Sequence, residues 1–141
     1  MSKILIADDR FNYIRNFRSL LGGGTYQLVE ASSGEEAIEK FDVNKDISLL
    51  ITDQKMGEVS GLDVIKHMRE VNNNIPFILM SSMSESHLIE YAQENEGIFI
   101  SKFDFGILDP KLPTIIDEMI KTGSSETYTN LLNSRKLHLK M

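Results

Sequence analysis

The chain has 141 residues, 41% hydrophobic and 26% charged, enough apolar content for one packed domain and too much for a disordered segment. It has no cysteine, which excludes disulfides and thiolate metal sites, and no apolar run approaches the ~20 residues of a membrane-spanning helix. The formal net charge of −6 is a poor match for direct binding to a nucleic-acid backbone, and it is uneven: residues 1–123 hold 12 basic and 20 acidic groups, a net −8, whereas in residues 124–141 Arg135, Lys136 and Lys140 face Glu126 alone.

In chain order, an apolar run over residues 3–7 predicts a strand ending at Asp8-Asp9. It is too short for a signal-peptide core, so a cytoplasmic chain with no membrane insertion is expected. Residues 11–21 predict a helix with Phe11, Ile14, Phe17 and Leu21 on one face, stopped by the glycines at 22–24. Those glycines follow a helix rather than a strand, so they read as a turn and not as a nucleotide-binding loop. Residues 26–31 alternate as a second strand, and Ser33-Gly34-Glu35-Glu36 reads as a capping box for a helix with Ala37, Ile38 and Phe41 inward. Residues 47–52 are apolar on both parities, as a strand buried on both faces would be, and end at Asp53.

Ser60 is placed to cap a third helix with Leu62, Ile65 and Met68 inward. Residues 75–80 form the fourth apolar run, followed by Ser81-Ser82, and Ser84 is placed to cap a helix with Leu88, Tyr91 and Ala92 inward. Residues 97–101 predict a fifth strand, followed by Lys102. The last helix runs to about Lys121 behind Pro110 and Pro113, with Leu112, Ile115, Ile116 and Met119 on one face. The pattern is (βα)5: an α/β fold with a doubly wound, parallel five-stranded sheet. The flavodoxin-like order 2-1-3-4-5 is expected, with the site at the carboxyl edge of the strands. A domain over residues 1–122 is expected, with 123–141 as a C-terminal extension or linker.

The polar residues that end these strands carry the chemistry. Asp8, Asp9, Asp53, Ser81 and Lys102 converge on one crevice if strands one, three, four and five are neighbours. Singly, each reads as well as a solvated turn, a cap or a surface lysine. Together, three carboxylates repel one another and call for a hard divalent cation, Mg²⁺ or Mn²⁺. With an ammonium and a hydroxyl beside them, one carboxylate can receive a phosphoryl group. His67, His87 and His138 have no metal-ligand spacing.

Asp8-Asp9, Asp53-Gln54-Lys55-Met56 with Gly61, Ser81 and Lys102 together resemble the receiver domain of two-component response regulators, over about residues 2–121. The resemblance implies Asp53 as phosphoacceptor, with a sensor histidine kinase or a histidine phosphotransfer protein as donor. It implies Mg²⁺ held by Asp9, by Asp8 largely through water, by Asp53 and by the Lys55 backbone carbonyl. It makes Ser81 and Phe99 switch residues, pairs Lys102 with the phosphoryl group, and lets Lys55 and Met83 tune the lifetime of the acyl phosphate. It implies a regulatory phosphoacceptor that assists its own phosphorylation and dephosphorylation rather than an enzyme. A downstream output protein is the implied reader, and the face of helix four, strand five and helix five is an implied output and homodimer surface.

Two positions depart from that family's pattern. Gly57 stands where a proline is usual, which frees the acceptor loop rather than fixing it. Phe103 follows Lys102 where a cis-proline is usual. A cis bond before a non-proline costs roughly 2.5–4 kcal/mol, so a trans peptide and a shifted loop over residues 103–108 are expected. Both departures favour the rival reading, a pseudo-receiver that binds partners without phosphorylation, whereas the intact Asp8, Asp9, Asp53, Ser81 and Lys102 oppose it. A flavin binder would need a Ser/Thr/Gly loop where Asp8-Asp9-Arg10 stands. An aspartate-dependent phosphatase would need a second acid where Lys55 stands.

Overall fold

The computed structural model describes residues 2–23, 25–71, 74–82, 85–102 and 111–123. Strands and helices alternate as β1 (Ser2–Ala7), α1 (Phe11–Leu21), β2 (Tyr26–Ala31), α2 (Gly34–Val43), β3 (Ile47–Asp53), α3 (Gly61–Val71), β4 (Phe77–Ser81), α4 (Ser86–Glu94), β5 (Gly97–Ser101) and α5 (Leu112–Thr122). The strands form one parallel sheet in the order β2-β1-β3-β4-β5. This is the doubly wound arrangement that the sequence predicts.

The alternation of side chains along each strand divides the core into two layers. Ile4 and Ile6 of β1, Leu49 and Ile51 of β3, and Ile78 and Met80 of β4 pack with α1 and α5 on one face. Leu5 and Ala7, Leu50, and Phe77 and Leu79 pack with α2, α3 and α4 on the other. Both faces of the central strands are therefore dry, which is why their sequences show no polar alternation.

The helices bury the stripes that their periodicity predicts, with local differences. Ile14, Phe17 and Leu21 of α1 are buried, but Phe11 is 55% exposed. It is the first helical residue, and its ring instead lies under the guanidinium groups of Arg15 and Arg18, 5.4 and 5.3 Å from its centre. Ser33 caps α2, accepting from the Glu36 amide at 3.1 Å. The Glu36 carboxylate, however, reaches back to the Ser32 amide rather than to that of Ser33. Ser60 and Asp63 form a reciprocal box at α3, each side chain accepting from the other's amide at 3.1 and 3.0 Å.

Glu85 stands at the N-cap of α4 without a side-chain cap bond, and Ser84 lies outside the described residues. Pro113 sits in the first turn of α5, which ends on left-handed Gly123 at φ 67°. Gly57 adopts φ 104°, so it does more than loosen the loop after Asp53: a proline, held near φ −65°, could not follow this path. Met83, Phe103 with residues 103–108, Pro110 and residues 124–141 lie outside the described residues. Among the described residues, no helix is long and apolar enough to cross a membrane.

Candidate functional site

The sheet holds the site residues by extending its pairing one step past the strand ends. The Asp8 amide donates to Ala31 O at 3.1 Å, that of Gln54 to Met80 O at 2.8 Å and that of Lys102 to Ser81 O at 2.8 Å. Asp8, Asp53 and Ser81 consequently sit at the carboxyl edge with fixed backbones, and all three are buried. Asp9, one residue farther along, is exposed at the rim.

The helix after β3 grips the loop that follows Asp53 from the other side. The Gly61 amide donates to Gln54 O at 3.0 Å, and the Leu62 amide donates to Gln54 Oε1 at 2.9 Å. A Cβ at Gly61 would lie 2.2 Å from the Asp53 carbonyl oxygen, so glycine is what lets α3 begin this close to the acidic residue.

Lys102 crosses the sheet edge to complete the site. Its Nζ lies 2.8 Å from Asp8 Oδ2 and 3.3 Å from Asp53 Oδ1, and its side chain is only 4% exposed. It is thus a buried counter-ion and not a surface lysine. The same ammonium lies 3.8 Å from the centre of the Tyr13 ring. Asp8 Oδ1 accepts from the Arg10 amide at 2.9 Å.

The acids oppose one another's ionisation. Burial, helped by the charge of Asp8, pushes the Asp53 carboxyl up to about 6 although Lys102 pulls it down. Burial also raises Asp8, against the stabilising bonds from Lys102 and the Arg10 amide. Asp8, Asp9 and Asp53 bring carboxylate oxygens within 4.8 Å of one another. An all-oxygen, anionic donor set of this size suits a hard divalent cation and offers nothing to a soft one.

Asp9, Asp53 and Lys102 open on a cleft of about 300 Å³, also lined by Lys55, Ser81 and Ser82, with Asp8 buried behind them. Asp8, Asp9, Asp53, Ser81, Lys55 and Lys102 therefore come together as the sequence predicts. Phe99 does not line the cleft; it is half-buried against the layer formed by α2, α3 and α4. Arg10 and Tyr13 also line the cleft and Gln54 secures its loop. Sequence reasoning missed all three, although Arg10 and Gln54 each adjoin a strand-end aspartate.

The family model for the response regulator receiver domain matches residues 4–106. The chain is 32% identical over 92 residues to the response regulator SaeR of Staphylococcus epidermidis, covering 65% of this chain and 39% of that one. It is 39% identical over 83 residues to the chemotaxis protein CheY1 of Helicobacter pylori, covering 57% of this chain and 67% of that one. The response regulator TrrA of Thermotoga maritima, solved in complex with Mg²⁺-BeF, matches with a TM-score of 0.66 and 29% identity over 81% of this chain and 98% of that one. A CheY-like receiver domain protein of Methanospirillum hungatei shares the fold, with a TM-score of 0.75 and 17% identity over 87% of this chain and 96% of that one.

Proposed function

The chain belongs to the response regulator receiver domain family, and from that membership we propose that Asp53 accepts a phosphoryl group from the phosphohistidine of a sensor histidine kinase or a histidine phosphotransfer protein. The observation that carries this reading is the buried Asp53 carboxylate lining the cleft, bridged to Asp8 by the Lys102 ammonium. An Asp53 oxygen attacks phosphorus in line. The new O–P bond forms as the donor's P–N bond breaks, and that electron pair returns to the imidazole. Lys102, already at the acceptor oxygen, neutralises the oxygens of the incoming group, and the Ser81 hydroxyl donates to one of them.

Asp8, Asp9, Asp53 and the Lys55 backbone carbonyl would hold Mg²⁺, with Mn²⁺ meeting the same donor set. The Mg²⁺ in the TrrA complex supports this assignment. The bound ion would supply positive charge to the transferring oxygens and let the three acids ionise together. Lys55 at the cleft mouth tunes how readily water reaches the acyl phosphate, a role shared with Met83.

Ser81 and Phe99 couple the phosphorylated state to the α4-β5-α5 face, where an output protein or a second copy of this chain docks. Residues 1–122 act as the receiver unit and 123–141 as its extension; left-handed Gly123 at the end of α5 supports that boundary. The setting is cytoplasmic.

Intact mass after incubation with acetyl phosphate and Mg²⁺ tests the reading. One phosphoryl adduct is expected, lost in Asp53→Asn and without metal. An unlabelled wild type, under conditions that label an ordinary receiver and with a histidine donor as well, would leave the pseudo-receiver as the better description.

A further inference from the structure

We propose that Tyr13 is a positioning residue for Lys102, its ring face holding the ammonium between the two carboxylates while leaving it free to turn toward a phosphoryl oxygen. The proposal rests on the reading of Asp53 as phosphoacceptor. Lys102 begins at the end of β5, the edge strand of the sheet, and a lysine side chain has four flexible carbons to order. Asp8 Oδ2 at 2.8 Å and Asp53 Oδ1 at 3.3 Å draw its ammonium in two directions. Tyr13 provides the third neighbour, with its ring centre 3.8 Å from Nζ. The lysine side chain is 4% exposed, so the attraction between cation and ring acts with little competition from water.

The ring is itself well fixed. Tyr13 follows the turn in which its amide donates to Arg10 O at 3.1 Å, precedes buried Ile14 and packs against the core layer of α1 and α5. Its kind of contact suits the chemistry. A carboxylate would hold the ammonium in one direction and add a further negative charge to a site that already has three acids. An aromatic face attracts the ammonium without adding net charge and without a fixed donor–acceptor line. When negative charge moves from the Asp53 carboxylate to a phosphoryl group, the ammonium can follow it across the ring without losing this partner. Side-chain packing alone would require the volume of Tyr13 but not its π face.

Two variants separate these roles: Tyr13→Phe keeps the ring, and Tyr13→Leu keeps apolar bulk without it. With acetyl phosphate and saturating Mg²⁺, Tyr13→Phe should be labelled within about twofold of the wild-type rate and Tyr13→Leu about tenfold more slowly. The Mg²⁺ concentration giving half the maximal rate should be the same in all three. Equal rates in wild type and Tyr13→Leu would overturn the proposal, as would a Tyr13→Phe defect as large as that of Tyr13→Leu.

A second readout does not depend on phosphorylation. The ε-methylene protons of Lys102 should resonate upfield, under the ring current, in wild type and Tyr13→Phe, and return to ordinary lysine positions in Tyr13→Leu. Ordinary positions in the wild type would overturn the proposal even if labelling is normal. A wild type that is never labelled would count against Asp53 as acceptor, and the resonances would then decide separately whether Tyr13 positions Lys102.

Discussion

Burial and the charge of Asp8 push the Asp53 carboxyl up to about 6, above the ~3.9 of an unfolded aspartate. The metal-free fold therefore holds this proton more tightly than the unfolded chain does. The stability linked to it is fully present below about pH 4 and is lost as pH rises through about 6. Removing the charge should restore it: in EDTA, Asp53→Asn should be about 1–3 kcal/mol more stable than wild type at pH 7 and no more stable at pH 4. Urea midpoints at the two pH values check this, and a lower midpoint for the variant at pH 7 would refute it. Asp8 remains to pair Lys102 in the variant.

The acids, Ser81 and Lys102 were legible in the sequence because each ends or directly follows an apolar run, and a parallel sheet gathers such positions at one edge. Tyr13 was not legible. Its partner lies 89 positions away, and helical periodicity does not encode where a long, flexible lysine side chain turns. Gly57 was legible as a departure but not as a conformation, since only the folded loop shows a φ of 104°.

Among the described elements, α3 has a direct hold on the loop after Asp53. Its first turn is fixed by the Ser60–Asp63 box and by two amides donating to Gln54. Ser60→Ala should cost about 1 kcal/mol, the ordinary value of an N-cap. Gly61→Ala should cost more, because its Cβ would meet the Asp53 carbonyl oxygen at 2.2 Å and would move either the helix or the acidic residue. Denaturant unfolding of the two variants beside their phosphoryl labelling checks this. A Gly61→Ala protein as stable as Ser60→Ala and labelled at the wild-type rate would contradict the tight approach.

Element order and most inward faces were readable because strand parity and helix period are strong, local signals. The misreadings fall at helix starts. Phe11 continues the α1 period but precedes the turn that meets the core, and Glu36 takes the Ser32 amide instead of that of Ser33. Periodicity describes a helix interior, whereas its first residues answer to the loop that enters it.

At the scale of the whole molecule, a divalent cation held by Asp8, Asp9 and Asp53 would tie together β1 and β3, the central neighbours of the sheet. Mg²⁺ should therefore stabilise the fold by mass action, by about 2.7 kcal/mol at a concentration 100 times its Kd. Asp9→Asn should remove most of that gain while leaving the metal-free midpoint close to wild type, since Asp9 is exposed. Thermal melts with and without Mg²⁺ check this, and equal Mg²⁺-induced shifts in the two proteins would exclude Asp9 as a ligand.

The strand order has a kinetic consequence as well. β1 lies between β2 and β3, and the site draws on residues 8, 53, 81 and 102. No contiguous stretch of the chain contains a working fraction of it. Loops of many tens of residues must close before the ammonium meets its carboxylates, the slow kind of event in a fold rich in distant contacts. A nascent or partly refolded chain would therefore present Asp53 without Lys102 and Asp8 beside it. On the proposed reading of Asp53, competence to accept a phosphoryl group would arrive as a late event of folding, only after the fifth strand has joined the sheet.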